Sequence, residues 1–144
     1  MRTEPIVPPS VVIRDTQTVR GLGVFAVRPF QAGELVESCP IILFEANALV
    51  SLPTELKRRT FDWSALINKR KGQLAFALGY GGMYNHANPA NLTYSALRST
   101  NVLMFFASQT IQAGAELTIN YDVRLGFNPS SESSWAKLND VQLI

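Results

Sequence analysis

The side chains of this 144-residue chain with the clearest capacity for chemistry lie in three short, widely separated stretches. Gly21-Leu22-Gly23 exposes backbone groups that a side chain would otherwise cover. Asn85-His86 joins an amide, which both donates and accepts, to the only imidazole of the chain. Tyr121 ends the run ELTINY with a phenol, whose hydroxyl both donates and accepts. Singly, each has a plain structural reading. The glycine pair lacks the third glycine and the helix of a dinucleotide fingerprint and reads as a hairpin turn. A lone histidine reads as structural, and a tyrosine on a strand reads as packing, with its hydroxyl satisfied by a backbone carbonyl.

The elements that must position these groups read as strands. VVIRD and VFAV are short β-branched or aromatic runs separated by RGLG, where two glycines permit a tight reversal, so a hairpin is expected. After the turn-rich PFQAG, ELVES and IILFE read as two further strands with Pro40 as a bend or edge position. FDWSALI, QLAFAL, LTYSAL and VLMFFAS read as strands, and Glu116 to Tyr121 as the last. The best helix candidate is short, Pro53 to Arg59, with Ser51 or Thr54 as its cap. Three glycines in Gly79-Tyr80-Gly81-Gly82 allow close backbone approach to a ligand, and the polar piece Asn85 to Asn91 demands side-chain hydrogen bonding. Many short strands without alternating long helices point to one β-dominated domain. Residues 1–10, with Pro5, Pro8 and Pro9, read as an extended lead-in, and 124–144 as a tail.

Composition narrows the function classes. Hydrophobic residues make up 47% and charged residues 17%, which suits a single packed core and not a disordered chain. A lone cysteine, Cys39, allows neither an internal disulfide nor a cysteine-based zinc cluster, so no metal and an intracellular home are expected. No leader pattern and no run of roughly 20 apolar residues is present, so no membrane association is expected. Thirteen basic against eleven acidic residues leave a formal charge of +2, too weak to make nucleic acid a primary ligand. The basic residues Lys57, Arg58, Arg59, Lys69, Arg70 and Lys71 read as a solvated face and loop that could meet an acidic partner.

Order changes the reading of the motifs. The succession RGLGVFA, LGYGGMYNHANPAN and FFASQTIQAGAELTINYD, over residues 11 to 123, resembles the SET-domain family of protein lysine methyltransferases. It is most similar to the minimal, zinc-free SET proteins of large DNA viruses and bacteria. The resemblance implies a mainly β, SET-domain (β-clip) fold of several small sheets with few short helices, in which the Asn-His segment is threaded in a knot-like way near the last motif. It implies S-adenosylmethionine as cofactor and S-adenosylhomocysteine as product. Arg20 and Leu22 would meet the cofactor through their backbones, Asn85 through its side chain, and His86 through its backbone as a wall residue. Tyr121 would be the catalytic hydroxyl. Tyr84, through its carbonyl, with Tyr94 and Ile119 would bound the substrate lysine channel, and Phe127 or Trp135 from the tail would close it. Asn-His-Ala stands here in place of the family's Asn-His-Ser, and Ile119 where an aromatic often influences how many methyl groups are added.

The partner so implied is a lysine-containing protein: a histone, or another basic DNA-associated or ribosomal protein, with a homodimer as a way to complete the groove. Localisation would be cytoplasmic in a bacterium and nuclear in a eukaryote or virus. The rival reading from another class is a catalytically silent SET-like module that binds peptide or cofactor. A small nucleic-acid-binding β-barrel is the third, disfavoured by weak charge and by aromatics not interleaved with Arg and Lys.

Overall fold

The structure is a computed structural model that describes residues 5–67, 72–97 and 100–121. In chain order the strands are β1 (Val11–Asp15), β2 (Leu22–Ala26), β3 (Leu35–Glu45), β4 (Thr60–Asp62), β5 (Gln73–Ala77), β6 (Asn85–His86), β7 (Leu92–Leu97), β8 (Val102–Ala107) and β9 (Glu116–Ile119). Two one-turn helices, α1 (Thr54–Lys57) and α2 (Trp63–Leu66), and a 3₁₀ turn at Ala46–Ser51 complete the described elements. Among the described residues no helix is long and apolar enough to cross a membrane.

The strands form two sheets. One runs β1-β2-β9-β6 and the other β4-β5-β3-β8-β7. The β1–β2 hairpin forms as its composition predicts, with Gly21 in the left-handed region at φ 73° and Gln17 at φ 59° within the turn. ELVES and IILFE, expected as two strands, are one strand of 11 residues. Its first half pairs with β8, Leu35 to Pro40, and its second half with β5, Ile41 to Glu45. Pro40 sits at that handover, where its missing N–H costs no bond to the incoming partner, while its carbonyl accepts from Leu78 N–H at 2.9 Å.

FDWSALI, expected as one strand, is β4 followed by α2. The side chain of Asp62 accepts from Ala65 N–H at 3.1 Å, and this cap turns an aromatic stretch into a helical turn. The helix expected over Pro53 to Arg59 is only Thr54–Lys57, and neither Ser51 nor Thr54 caps it; Pro53 is at the N-cap with no side-chain bond. The last strand ends at Ile119, leaving Asn120 and Tyr121 beyond the ladder.

Phe61, Trp63, Tyr84, Phe105, Leu103, Leu117 and Ile119 are among the fully buried side chains, and they lie on strands of both sheets or the segments between. Phe105 is the aromatic centre: its ring lies 4.8 Å from Tyr84, 5.7 Å from Tyr94 and 6.2 Å from Phe61. Truncating such a residue typically costs about 3–5 kcal/mol, a large part of a domain's stability.

Candidate active site

Three backbone segments converge. Beyond the β1–β2 turn, Gly23 approaches β6 and β9 so closely that a Cβ there would stand 2.5 Å from Glu116 Oε2, 2.8 Å from Thr16 Cγ2 and 3.1 Å from Asn85 Nδ2. Any larger residue must displace one of them. The second segment, β6, pairs in parallel with β9, Asn85 opposite Thr118 and His86 opposite Ile119. Pro89, having no N–H, cannot prolong that ladder.

The 85–91 piece and the last motif are then laced together by side chains. Asn91 Nδ2 donates to Glu116 O at 2.9 Å, and Asn91 Oδ1 accepts from Thr118 N–H at 2.8 Å. Ala87 N–H donates to Ile119 O at 3.0 Å. Tyr121 N–H donates to His86 Nδ1 at 3.0 Å, and the two rings lie 5.0 Å apart. The polar composition of Asn85 to Asn91 is thereby accounted for: these groups bond across to β9.

Asn85 spends both amide hydrogens, one on Leu22 O at 3.0 Å and one on Glu116 Oε2 at 2.7 Å. His86 is buried, and its Nδ1 is committed as an acceptor, which fixes the neutral tautomer with the proton on Nε2. Because Ile119 bonds with the neighbours of His86 in the parallel ladder, the N–H and C=O of His86 point away from β9. Tyr121 O–H donates to Tyr84 O at 3.3 Å. That bond satisfies a packing tyrosine, and it also pins the hydroxyl beside the carbonyls of the glycine-rich segment.

These groups share a cleft of about 240 Å³ lined by Arg20, Arg59, Gly82, Asn85, His86 and Tyr121, among others. Arg58, Arg59, Gly82, Tyr84 and Tyr121 are common to this cleft and to a smaller void that also touches Phe61, Gly81 and Ile119. Tyr121 therefore lines both.

Of the other residues expected at the site, Arg20 lines the cleft, with its N–H donating to Thr18 Oγ1 at 3.2 Å; Leu22 carries a half-exposed side chain and gives its carbonyl to Asn85. Tyr84 turns its ring into the core and presents its carbonyl to Tyr121. Ile119 is buried against the smaller void. Tyr94 is buried against Phe61 and Phe105, and its hydroxyl donates to Asn120 O at 2.9 Å, bracing the residue before Tyr121. Phe127 and Trp135 lie outside the described residues.

Sequence reasoning assigns no role to three groups near the site. Glu37 is buried and accepts from Tyr84 O–H at 2.6 Å and Tyr80 N–H at 2.8 Å. Burial pushes its carboxyl up, and outweighs the downward pull of the Tyr84 and Tyr80 donors and of the Cys39 thiol. The same pocket, first by burial and then by the charge of Glu37, pushes the Cys39 thiol and the Tyr84 hydroxyl up as well. Arg59 Nη1 donates to Gly82 O at 2.8 Å and so steadies a carbonyl of the cleft wall. Glu116 holds Asn85. The sequence signal for Glu37 was faint: an acid in a strand otherwise rich in apolar residues. Among the described residues no cluster of three or more His, Cys, Asp or Glu could hold a metal ion.

Known proteins share this fold. The SET domain family model matches residues 21–122, a span holding Gly21, Gly23, Asn85, His86, Glu116 and Tyr121. The chain is 30% identical over 132 residues to the H3 lysine-37 specific histone-lysine N-methyltransferase of Schizosaccharomyces pombe, covering 90% of this chain and 85% of that one. Among solved structures it resembles a histone methyltransferase candidate of Plasmodium falciparum, with TM-score 0.61 and 24% identity over 80% of this chain and 95% of the other. It also resembles the polycomb repressive complex 2 of Chaetomium thermophilum in an autoinhibited, S-adenosylmethionine-bound conformation, with TM-score 0.64 and 21% identity, over 80% of this chain and 15% of that longer one. The structural likenesses speak for the fold; the family match spans both halves of the cleft, and on it this chain belongs to the SET domain family.

Proposed function

We propose that this protein transfers a methyl group from S-adenosylmethionine to the ε-amine of a lysine in a protein substrate and releases S-adenosylhomocysteine. The observation that carries the reading is the meeting of Asn85, His86 and Tyr121 in one cleft. The residues suit the cofactor. Asn85 Oδ1 can accept from an ammonium, the cations Arg20 and Arg59 favour a carboxylate, and the outward backbone of His86 suits an adenine edge. S-adenosylmethionine, when bound, supplies a methyl on a sulfonium sulfur that becomes a neutral thioether as the new C–N bond forms.

The chain's own part is selection and alignment. A lysine amine with a reference pKa of about 10.4 is neutral in only about one molecule per thousand at pH 7.4. A lysine channel opening from the small void lined by Phe61, Ile119, Arg58 and Arg59 would penalise the ammonium, by the two guanidinium charges and by desolvation, and favour the neutral amine. The carbonyls of Gly82 and Tyr84 and the Tyr121 hydroxyl can orient that amine along the line of transfer, and positioning of this kind is worth up to roughly 7–11 kcal/mol in favourable cases. They also face the positive charge that spreads over the transferring methyl. Phe127 or Trp135 would close the channel mouth.

The substrate class favoured is a histone, on the strength of the named activity of the Schizosaccharomyces pombe relative. The test is calorimetry with S-adenosylmethionine, then radiolabel transfer to core histones and mass spectrometry of the product. Micromolar binding followed by label on a lysine is the expected result. Binding without transfer to histones or to a whole lysate would make the protein a silent module.

A further inference from the structure

The two amide hydrogens of Asn85 face Leu22 O and Glu116 Oε2, both of which can only accept. Flipping the amide would set Oδ1 against a carbonyl and a carboxylate at once, so its orientation is fixed by the network. The two locks are unequal. A hydrogen bond to a charged acceptor is stronger than one to a neutral carbonyl, so Glu116 is the stronger lock.

Glu116 reaches Asn85 because Gly23 has no side chain: a Cβ there would collide with Glu116 Oε2 and crowd Asn85 Nδ2. With its hydrogens turned away, Asn85 can offer a ligand only the acceptor Oδ1. A ligand group docking there must donate, and the carboxylate behind the amide adds attraction for a positive one.

We propose that Glu116 is a positioning residue that locks the Asn85 amide in one orientation and thereby makes the cleft select the α-ammonium of the donor's amino-acid moiety. The inference rests on the reading of the cleft as the S-adenosylmethionine site, and it assigns Glu116 no contact with the reacting atoms.

The test is calorimetry with S-adenosylhomocysteine and with its analogue in which hydrogen replaces the α-amino group, on the wild type and Glu116→Gln. The wild type should prefer the amino compound by about tenfold or more. Glu116→Gln should weaken the amino compound by roughly five- to tenfold and leave the deamino analogue within about twofold, since only the former uses the locked oxygen. Equal weakening of both ligands would make Glu116 a structural residue and overturn the proposal, as would no change in either. If Glu116→Gln does not fold by circular dichroism, Glu116→Asp is read by the same pair of ligands and the same criteria. A wild type that binds neither compound would instead remove the cofactor reading on which the inference stands.

Discussion

Asn85, His86 and Tyr121 were legible as a set because their order and separation carry a pattern that no one of them has alone. What the sequence could not express is which atoms each would spend. His86 gives Nδ1 to the Tyr121 amide, and Asn85 gives both hydrogens to the protein. Tyr121 has one hydroxyl, held 3.3 Å from the Tyr84 carbonyl, and it lines the cleft. Replacing Tyr121 with Phe removes that hydroxyl and leaves the backbone bond to His86. Cofactor affinity should therefore stay within a few fold while turnover falls by about 10²-fold or more. A single-turnover assay checks this, and a near-normal rate would leave Tyr121 as a packing residue. Glu37 was invisible as a functional group because an isolated acid on a strand reads as solvent-facing, and Glu116, although it opens the last motif, showed no partner in the sequence; burial and partners are properties of the assembled sheets.

At the scale of elements, strands were legible wherever β-branched and aromatic residues alternate between turn signals, as in the hairpin, β7 and β8. Two boundaries were not. β3 runs through Pro40 because its two halves serve different partners, a tertiary fact that no local propensity carries. The aromatic content of FDWSALI masked α2, whose signal was Asp62 three residues before Ala65, a cap in place of a strand residue. α2 brings Trp63 into the core, so its cap bears on stability: Asp62→Ala should cost about 1 kcal/mol. Thermal denaturation should show a midpoint lower by about 3–6 °C. An unchanged midpoint would mean that burial of Trp63 alone holds the turn.

For the whole molecule, the site exists because β2, β6 and β9 share one sheet and so bring residues 21–23, 85–91 and 116–121 together, and the second sheet supports it through Phe105 and Glu37, which hold Tyr84. Threaded connections are rare enough that only the resemblance, and no rule of propensity, anticipated this closeness. The buried acid between the sheets leaves a pH signature. Burial raises the Glu37 pKa above its unfolded value, so its contribution to stability is full below that unfolded value and is lost as pH rises through the folded one. Urea unfolding of the wild type and Glu37→Gln from pH 4 to 8.5 should show the wild type losing stability relative to the variant as pH increases; parallel curves would show that Glu37 does not titrate in that range. The same enclosure has a practical side. Cys39, the sole sulfhydryl of the sequence, is sealed in the interior and held in its unreactive protonated form. A cysteine engineered at an exposed position would thus be the one nucleophile a maleimide dye encounters, which gives fluorescence studies of cleft opening a single attachment point with the native thiol left in place.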